Sequence, residues 1–190
     1  IRLYGTMLTP YEPTMVQSGK MTFQGASEEA MLEEIADGIV EDMKEEEADG
    51  RRVLYLLGAG GTMETVAEAL GVEGTLLGVD AVVGGELVGR DLDERSILAL
   101  LDEHPDARVM LSPIGAQGFI LGRGNLQFSP EVVRRVGLDN ILVLATPAKL
   151  ARTPVLRVDT GDPELDAGFR SKGHLFVTVS YRTRRLVKVG

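Results

Sequence analysis

Apolar side chains recur every fourth residue through Met31, Ile35, Ile39 and Met43, with Leu32 and Val40 beside them and acids on the remaining faces. This spacing predicts an amphipathic helix with Ser27 as its cap, its apolar stripe toward a core and its charges in water. Before it lie a strand-like stretch at 2–9, a connection holding Pro10 and Pro13, and a polar run through Gly19 and Gly25. From Arg52 the pattern changes to short apolar runs alternating with helical ones, which is the pattern of βα units. Strands are expected at 53–57, 75–79, 108–111, 141–145 and 155–158, and helices at 63–70, 94–103, 130–136 and 148–152. Gly71 and Gly137 mark helix stops, while Asp93 and the Ser129-Pro130 pair mark helix starts. Gly84-Gly85 between apolar runs reads as a tight hairpin turn, and 181–185 as the longer turn of a second hairpin joining 175–180 to 186–189.

The expected fold is therefore α/β: a mostly parallel, Rossmann-like sheet with helices on its faces, plus a smaller β-rich part formed by the two chain ends. The expected organisation is an N-terminal strand and connection (1–26), an acidic helix (27–49), an α/β nucleotide-binding domain (50–168) and a C-terminal hairpin (169–190). A chain of 190 residues with 44% hydrophobic side chains is long enough to bury a substantial core.

Charge sharpens this picture. Of the formal net charge of −9, a balance of −10 sits between Ser27 and Asp49, so the remainder of the chain is close to neutral at +1. A near-neutral body is compatible with phosphate ligands, whereas no clustered basic face is visible to suggest a nucleic-acid partner. The sequence has no Cys and only two His, His104 and His174, which argues against thiolate chemistry and against His or Cys metal centres. No apolar run approaches the ~20 residues of a membrane span, and the first residues resemble neither a signal peptide nor an initiator start. The expectation is a cytoplasmic piece whose start has been cut or lost.

Three segments hold candidate chemistry. In the first, a strand runs into Gly58-Ala59-Gly60-Gly61-Thr62 and a helix, a geometry in which backbone N–H groups and the helix dipole can meet a phosphate. Asp80 lies 22 residues past Gly58, about where a dinucleotide fold places its ribose-binding acid, but Met63 occupies the third glycine position of that fingerprint. A purely structural strand-to-helix turn is the alternative. The second segment, 112–125, follows a strand and interleaves four glycines with Gln117, Arg123 and Asn125; Gly118 is among its exposed-amide candidates. Its alternative is a structural glycine loop. The third segment holds Asp159 and Asp162, which could bind Mg²⁺ through water, accept ribose hydroxyls or simply cap a turn. The sequence contains neither a P-loop nor a G-x-S-x-G element.

Taken in order, the stretches LLGAGGTMETVAEALG, TLLGVDAV, SPIGAQGFILGRGNLQFSPEVVRRVG, ILVLATPAKL and LRVDTGDPELD resemble the C-terminal half of the archaeal and bacterial ATP-NAD kinase-like proteins, the polyphosphate/ATP-dependent NAD kinase group. RLYGTMLTPYEP is similar to a mid-chain segment of the same proteins. The resemblance implies a phosphotransferase that converts NAD to NADP, with ATP or polyphosphate as donor, Mg²⁺ as cofactor and a homo-oligomeric assembly. Because phosphoryl transfer needs positioning and charge neutralisation, the residues are assigned in turn: Gly58, Gly60, Gly61 and Thr62 to cradle phosphate, Asp80, Gln117 and Asn125 to recognise ribose or amide, and Arg123 to neutralise phosphate charge. The Gly-Gly-Asp-Gly element of that family, whose Asp is its presumed base, occurs nowhere in this sequence and is expected on an N-terminal domain that acts as partner. Two other readings use the same glycine turn: a non-catalytic nucleotide or sugar-phosphate sensor, and a sugar-phosphate isomerase or CoA-transferase-like enzyme.

Overall fold

The computed structural model describes residues 22–190, so the strand-like stretch at 2–9 and its proline connection lie outside the described residues. In chain order the elements are α1 (Thr22–Ala48), β1 (Leu54–Leu57), α2 (Gly61–Ala69), β2 (Asp80–Val83), β3 (Glu86–Gly89), α3 (Glu94–Glu103), β4 (Ala107–Leu111), β5 (Phe119–Leu121), α4 (Pro130–Val136), β6 (Ile141–Leu144), α5 (Pro147–Arg152), β7 (Val155–Val158), α6 (Pro163–Ser171), β8 (His174–Ser180) and β9 (Thr183–Val189). The strands form one nine-stranded sheet in the order β3-β2-β1-β4-β6-β8-β9-β7-β5. Five of its neighbouring pairs are parallel: β1–β4, β4–β6, β6–β8, β7–β9 and β5–β7. The fold is thus the expected mixed α/β sheet, mostly parallel and flanked by helices, and the C-terminal hairpin β8–β9 is built into that same sheet.

Alternation along β1 explains the layering, because successive side chains of a strand face opposite ways. Leu54 and Leu56 join the core beneath α3, α4 and α6, whereas Tyr55 and Leu57 join the core beneath α1 and α2. All four residues of β1 are buried, as expected of a strand covered on both faces. Three helices begin with the same local device, a polar N-cap followed by proline: Ser129-Pro130, Thr146-Pro147 and Asp162-Pro163.

Three sequence expectations are corrected. The turn of the C-terminal hairpin is the pair Tyr181-Arg182 and not the longer 181–185, because Thr183, Arg184 and Arg185 already pair with Ser180, Thr178 and Val177. The first helix begins at Thr22, so Ser27 lies inside it and is not its cap; a cap-type residue starts a helix only where the preceding chain is non-helical. The run at 75–79 is irregular, and the strand is Asp80–Val83, which runs antiparallel to β1 with Leu57 opposite Asp80. The reason is local. The Asp80 carboxylate accepts from Thr75 N at 2.5 Å, Thr75 Oγ1 at 2.8 Å and Asp91 N at 3.0 Å, folding the preceding run into a loop that exposes Leu76 and Leu77.

The acidic helix is also more than a solvated face. Its stripe of Ile35, Ile39, Val40 and Met43 is buried, but Gly38 is buried too, and a Cβ there would lie 3.0 Å from Arg182 N. Glu41, Asp42 and Glu45 share that face of the helix, and all three surround the Arg182 guanidinium, at 3.8, 3.0 and 2.6 Å. Ser180 and Tyr181 donate to Glu34 and Glu41 on the same face. The Glu41 carboxylate raises the Tyr181 phenol above its ordinary pKa. Arg182 at the β8–β9 turn, with Arg184 4.0 Å from Asp42, therefore offsets repulsion among these acids. Arg182→Glu should lower the melting temperature, and roughly 1 M salt, where the screening length is ~3 Å, should recover more stability in the variant than in the parent. Thermal unfolding across a salt series checks this; an unchanged melting temperature would show that the contact is dispensable.

Candidate functional site

β1, β4 and β6 are adjacent and parallel, and their register places Leu57 opposite Met110 and Leu111 opposite Val143, so their C-terminal ends are nearly level. Ligands of open α/β sheets gather at such an edge. Beyond β1 the ladder continues one step, with Gly58 N donating to Met110 O at 2.9 Å. A side chain at Gly58 would force its neighbours to shift: a Cβ would lie 2.9 Å from Leu111 Cδ2 and 3.1 Å from Met110 O. Gly60 follows with a φ of 115°, which favours glycine, and donates to Leu76 O at 2.8 Å. α2 begins at Gly61. The N–H groups of Gly61 and Thr62 have no acceptor among the described residues, as expected of a first helical turn. A Cβ at Gly60 or Gly61 would meet nothing within 4 Å, so this part of the turn faces open space.

A chain of polar side chains crosses the same edge. Thr62, buried on α2, donates to Ser112 Oγ at 3.2 Å, and Lys149 Nζ donates to the same oxygen at 2.8 Å. Ser112 is the first residue after β4, and Lys149 is on α5, the short helix that follows β6. Thr146 caps that helix by accepting from Lys149 N at 3.2 Å, and its hydroxyl donates to Glu28 of α1 at 3.1 Å. Burial pulls the Lys149 ammonium below its ordinary pKa, an effect that the nearby Glu28 carboxylate opposes and Arg152 reinforces. Each of three neighbouring strands thus leads into one member of a single hydrogen-bonded chain of polar side chains. The glycine turn and Thr62 were legible in the sequence; Ser112 and Lys149 were not singled out. The available signal was positional, since the Thr-Pro-Ala-Lys run after the strand at 141–144 occupies the place that the two glycine segments occupy after theirs.

The other expected site residues lie elsewhere or are engaged by the fold. Asp80 stands beside the end of β1, but it is buried and its oxygens hold the loop at 75–79 and Asp91 N. Asn125 is buried as well, donating to Ile120 O at 2.9 Å and accepting from Gly122 N at 3.0 Å. Gly118 lets the β5 end approach β7, because a Cβ there would lie 2.4 Å from Val155 O. Exposed Arg123 stacks over the Phe119 ring at 4.4 Å and makes long contacts of 3.4 Å with Gln117 and Asp159. Asp162 caps α6, accepting from Glu164 N and Leu165 N at 3.0 Å each, and pairs with Arg134. These backbone bonds hold its carboxyl below the usual carboxylate range, with Arg134 adding to the effect. Among the described residues no group of three His, Asp or Glu side chains converges to hold a metal ion.

Residues 51–189 match the family model of the ATP-NAD kinase C-terminal domain, well over half of the chain, and the chain belongs to that family. The match begins just before β1 and leaves α1 outside it. No curated protein and no solved structure matches the chain. No helix among the described residues is long and apolar enough to cross a membrane.

Two kinds of glycine can be told apart by experiment. Gly122→Ala would place a Cβ 1.7 Å from Asp159 O at a φ of 94°, and should cost roughly 2–4 kcal/mol of stability. Gly61→Ala should change stability by less than ~0.5 kcal/mol, because its Cβ meets nothing. Denaturant unfolding of both variants checks the contrast, and equal costs would refute it. Lys149→Met, which removes the desolvated charge, should raise the melting temperature by roughly 2–4 °C. A fall would show that the ammonium stabilises the fold.

Proposed function

We propose that this member of the ATP-NAD kinase C-terminal domain family forms the nucleotide-binding part of an NAD kinase-type phosphotransferase, which converts NAD to NADP with ATP or polyphosphate as donor. The observation that carries this reading is the open glycine turn at the level ends of β1, β4 and β6. There the unpaired amides of Gly61 and Thr62 and the positive end of α2 favour a phosphate. In this reading Gly58 and Gly60 shape the turn, Gly61 leaves room for the ligand, and Thr62 adds a hydroxyl. In this reading Gln117 and Arg123, which make no hydrogen bond with the turn among the described residues, would serve a more distant part of the ligand: Arg123 is exposed, and its 3.4 Å contact with Asp159 is weak enough to exchange for a phosphate oxygen. Asp80, Gly118, Asn125 and Asp162 act through the loops they hold.

In phosphoryl transfer a protein chiefly positions the reactants and neutralises charge, and both tasks suit glycine amides and an arginine. Abstraction of a proton from the accepting hydroxyl needs a base, and the Gly-Gly-Asp-Gly element that would bring one is not in this sequence. An N-terminal domain supplies it in this reading. The described acids do not fit a metal site: Asp159 faces Arg123, and Asp162 is spent on a helix cap and on Arg134. A divalent cation would come with the phosphoryl donor or be held by other residues.

Calorimetric titration of the chain with NAD and ATP, and with adenosine as control, tests the reading. Both nucleotides should bind. Gly61→Asp should weaken them by roughly 100-fold or more, because a carboxylate at the helix start repels phosphate while its Cβ disturbs no packing. The isolated chain should form no NADP from NAD and ATP. Binding that Gly61→Asp leaves intact would remove the turn from the site, and robust NADP formation by this chain alone would overturn the division of labour.

A further inference from the structure

We propose that Lys149, with Ser112, forms a receptor for a terminal phosphate, the end group of a polyphosphate or of a nucleoside di- or triphosphate, at the ends of β4 and β6. The inference rests on the reading of the neighbouring glycine turn as a phosphate site. It starts from a charge without a direct counter-ion. Lys149 is half-buried and its Nζ donates a hydrogen bond to Ser112 Oγ, but it forms no ion pair among the described residues. Glu28, the acid nearest in effect, spends one oxygen on Thr146 Oγ1 and the other on Arg152, at 3.5 Å. An ammonium carries three donors, and buried charges are ordinarily paired, so at least one strong donor and a full positive charge remain for an anion.

The neighbours of Lys149 select the kind of anion. Ser112 and Thr62 are both buried, and their hydroxyls stand 3.2 Å apart, so a group entering beside Lys149 meets hydroxyls on a second side. A terminal phosphate has three non-bridging oxygens to distribute over such donors. A diester phosphate has two, and its second substituent must also be accommodated. Lys149 faces Glu28 from α1 and Arg152 from its own helix, while Ser112 and Thr62 do not titrate. Glu28 therefore opposes an incoming phosphate and balances Lys149 in its absence. That arrangement gives the two residues opposite signs.

The test is calorimetric titration of the full chain and its variants with tripolyphosphate, ADP and NAD, the last carrying only diester phosphates. Lys149→Met should weaken tripolyphosphate and ADP by roughly 10–100-fold and NAD by less than about 3-fold. Ser112→Ala should weaken the first two by roughly 3–10-fold, and Glu28→Gln should tighten them. Circular dichroism and thermal unfolding confirm that each variant is folded, and Ser112→Ala, the smallest change, stands in if Lys149→Met is not. Unchanged tripolyphosphate affinity in Lys149→Met and Ser112→Ala overturns the inference, as does an equal loss for NAD and tripolyphosphate. Failure of the underlying reading looks different. If Gly61→Asp leaves all three probes bound while Lys149→Met loses tripolyphosphate, the glycine turn falls and the Lys149 receptor stands. If the parent chain binds none of the probes, both fall.

Discussion

The missing side chain at Gly58 sets the distance on which the candidate site depends. With Leu111 Cδ2 2.9 Å and Met110 O 3.1 Å from where a Cβ would stand, the turn after β1 is pressed directly against the end of β4. The Phe128 ring, 3.4 Å away, closes the approach from the side of the following loop. Only this closeness lets α2 start level with Ser112, so that Thr62 reaches across to its hydroxyl at 3.2 Å. Parallel pairing of β4 with β6 then brings α5 and Lys149 to the other side of the same oxygen. The polar chain is a consequence of strand order and of one glycine. No contiguous motif encodes it.

The acidic helix illustrates how a charge run divides once it is packed. Glu41, Asp42 and Glu45 close around Arg182, while Glu46 takes the Tyr55 hydroxyl and lies 2.5 Å from Arg108. Burial and that hydrogen bond push the Tyr55 phenol upward, so it stays a neutral donor. Glu28 reaches α5 and contributes the counter-charge for Lys149. A helix outside the family match thus shapes both a scaffold contact and the electrostatics around Lys149. Gly38 carries a cost in the helix interior, of about 1 kcal/mol relative to Ala. In return the helix lies within van der Waals reach of the hairpin turn.

Much of the fold was legible because local signals and burial agreed. The helices Glu94–Glu103 and Pro130–Val136 have unambiguous caps, and the runs in β1, β4, β6 and β7 are short, apolar and bounded by polar residues. Disagreement arose where one side chain overrode a pattern. The apolar run at 75–79 looks like a strand, but Asp80 holds it as a loop. Asp162-Pro163 carries the same start signal as Ser129-Pro130, yet the acids around it drew attention to ligand chemistry instead of to α6. β5, three residues long, is recognisable only through its partner β7. The family was legible from the order of several motifs, none of which suffices alone.

Glycine content misleads in this chain unless the space beside each glycine is known. The loop at 112–125 is as rich in glycine as the turn at 58–61, and composition gives both the same claim on a phosphate. Their surroundings separate them. Gly118 and Gly122 are filled by the backbone of Val155 and Asp159, so their lack of a side chain serves the pairing of β5 with β7. Gly60 and Gly61 face open space beside unpaired amides, so what they leave free is available to a ligand. The loop's first residue nevertheless belongs to the polar chain, because Ser112 sits at a strand end that β1 and β6 flank. Position on the sheet edge brings the candidate residues together, and a glycine leaves room beside them only where nothing in the fold fills its space.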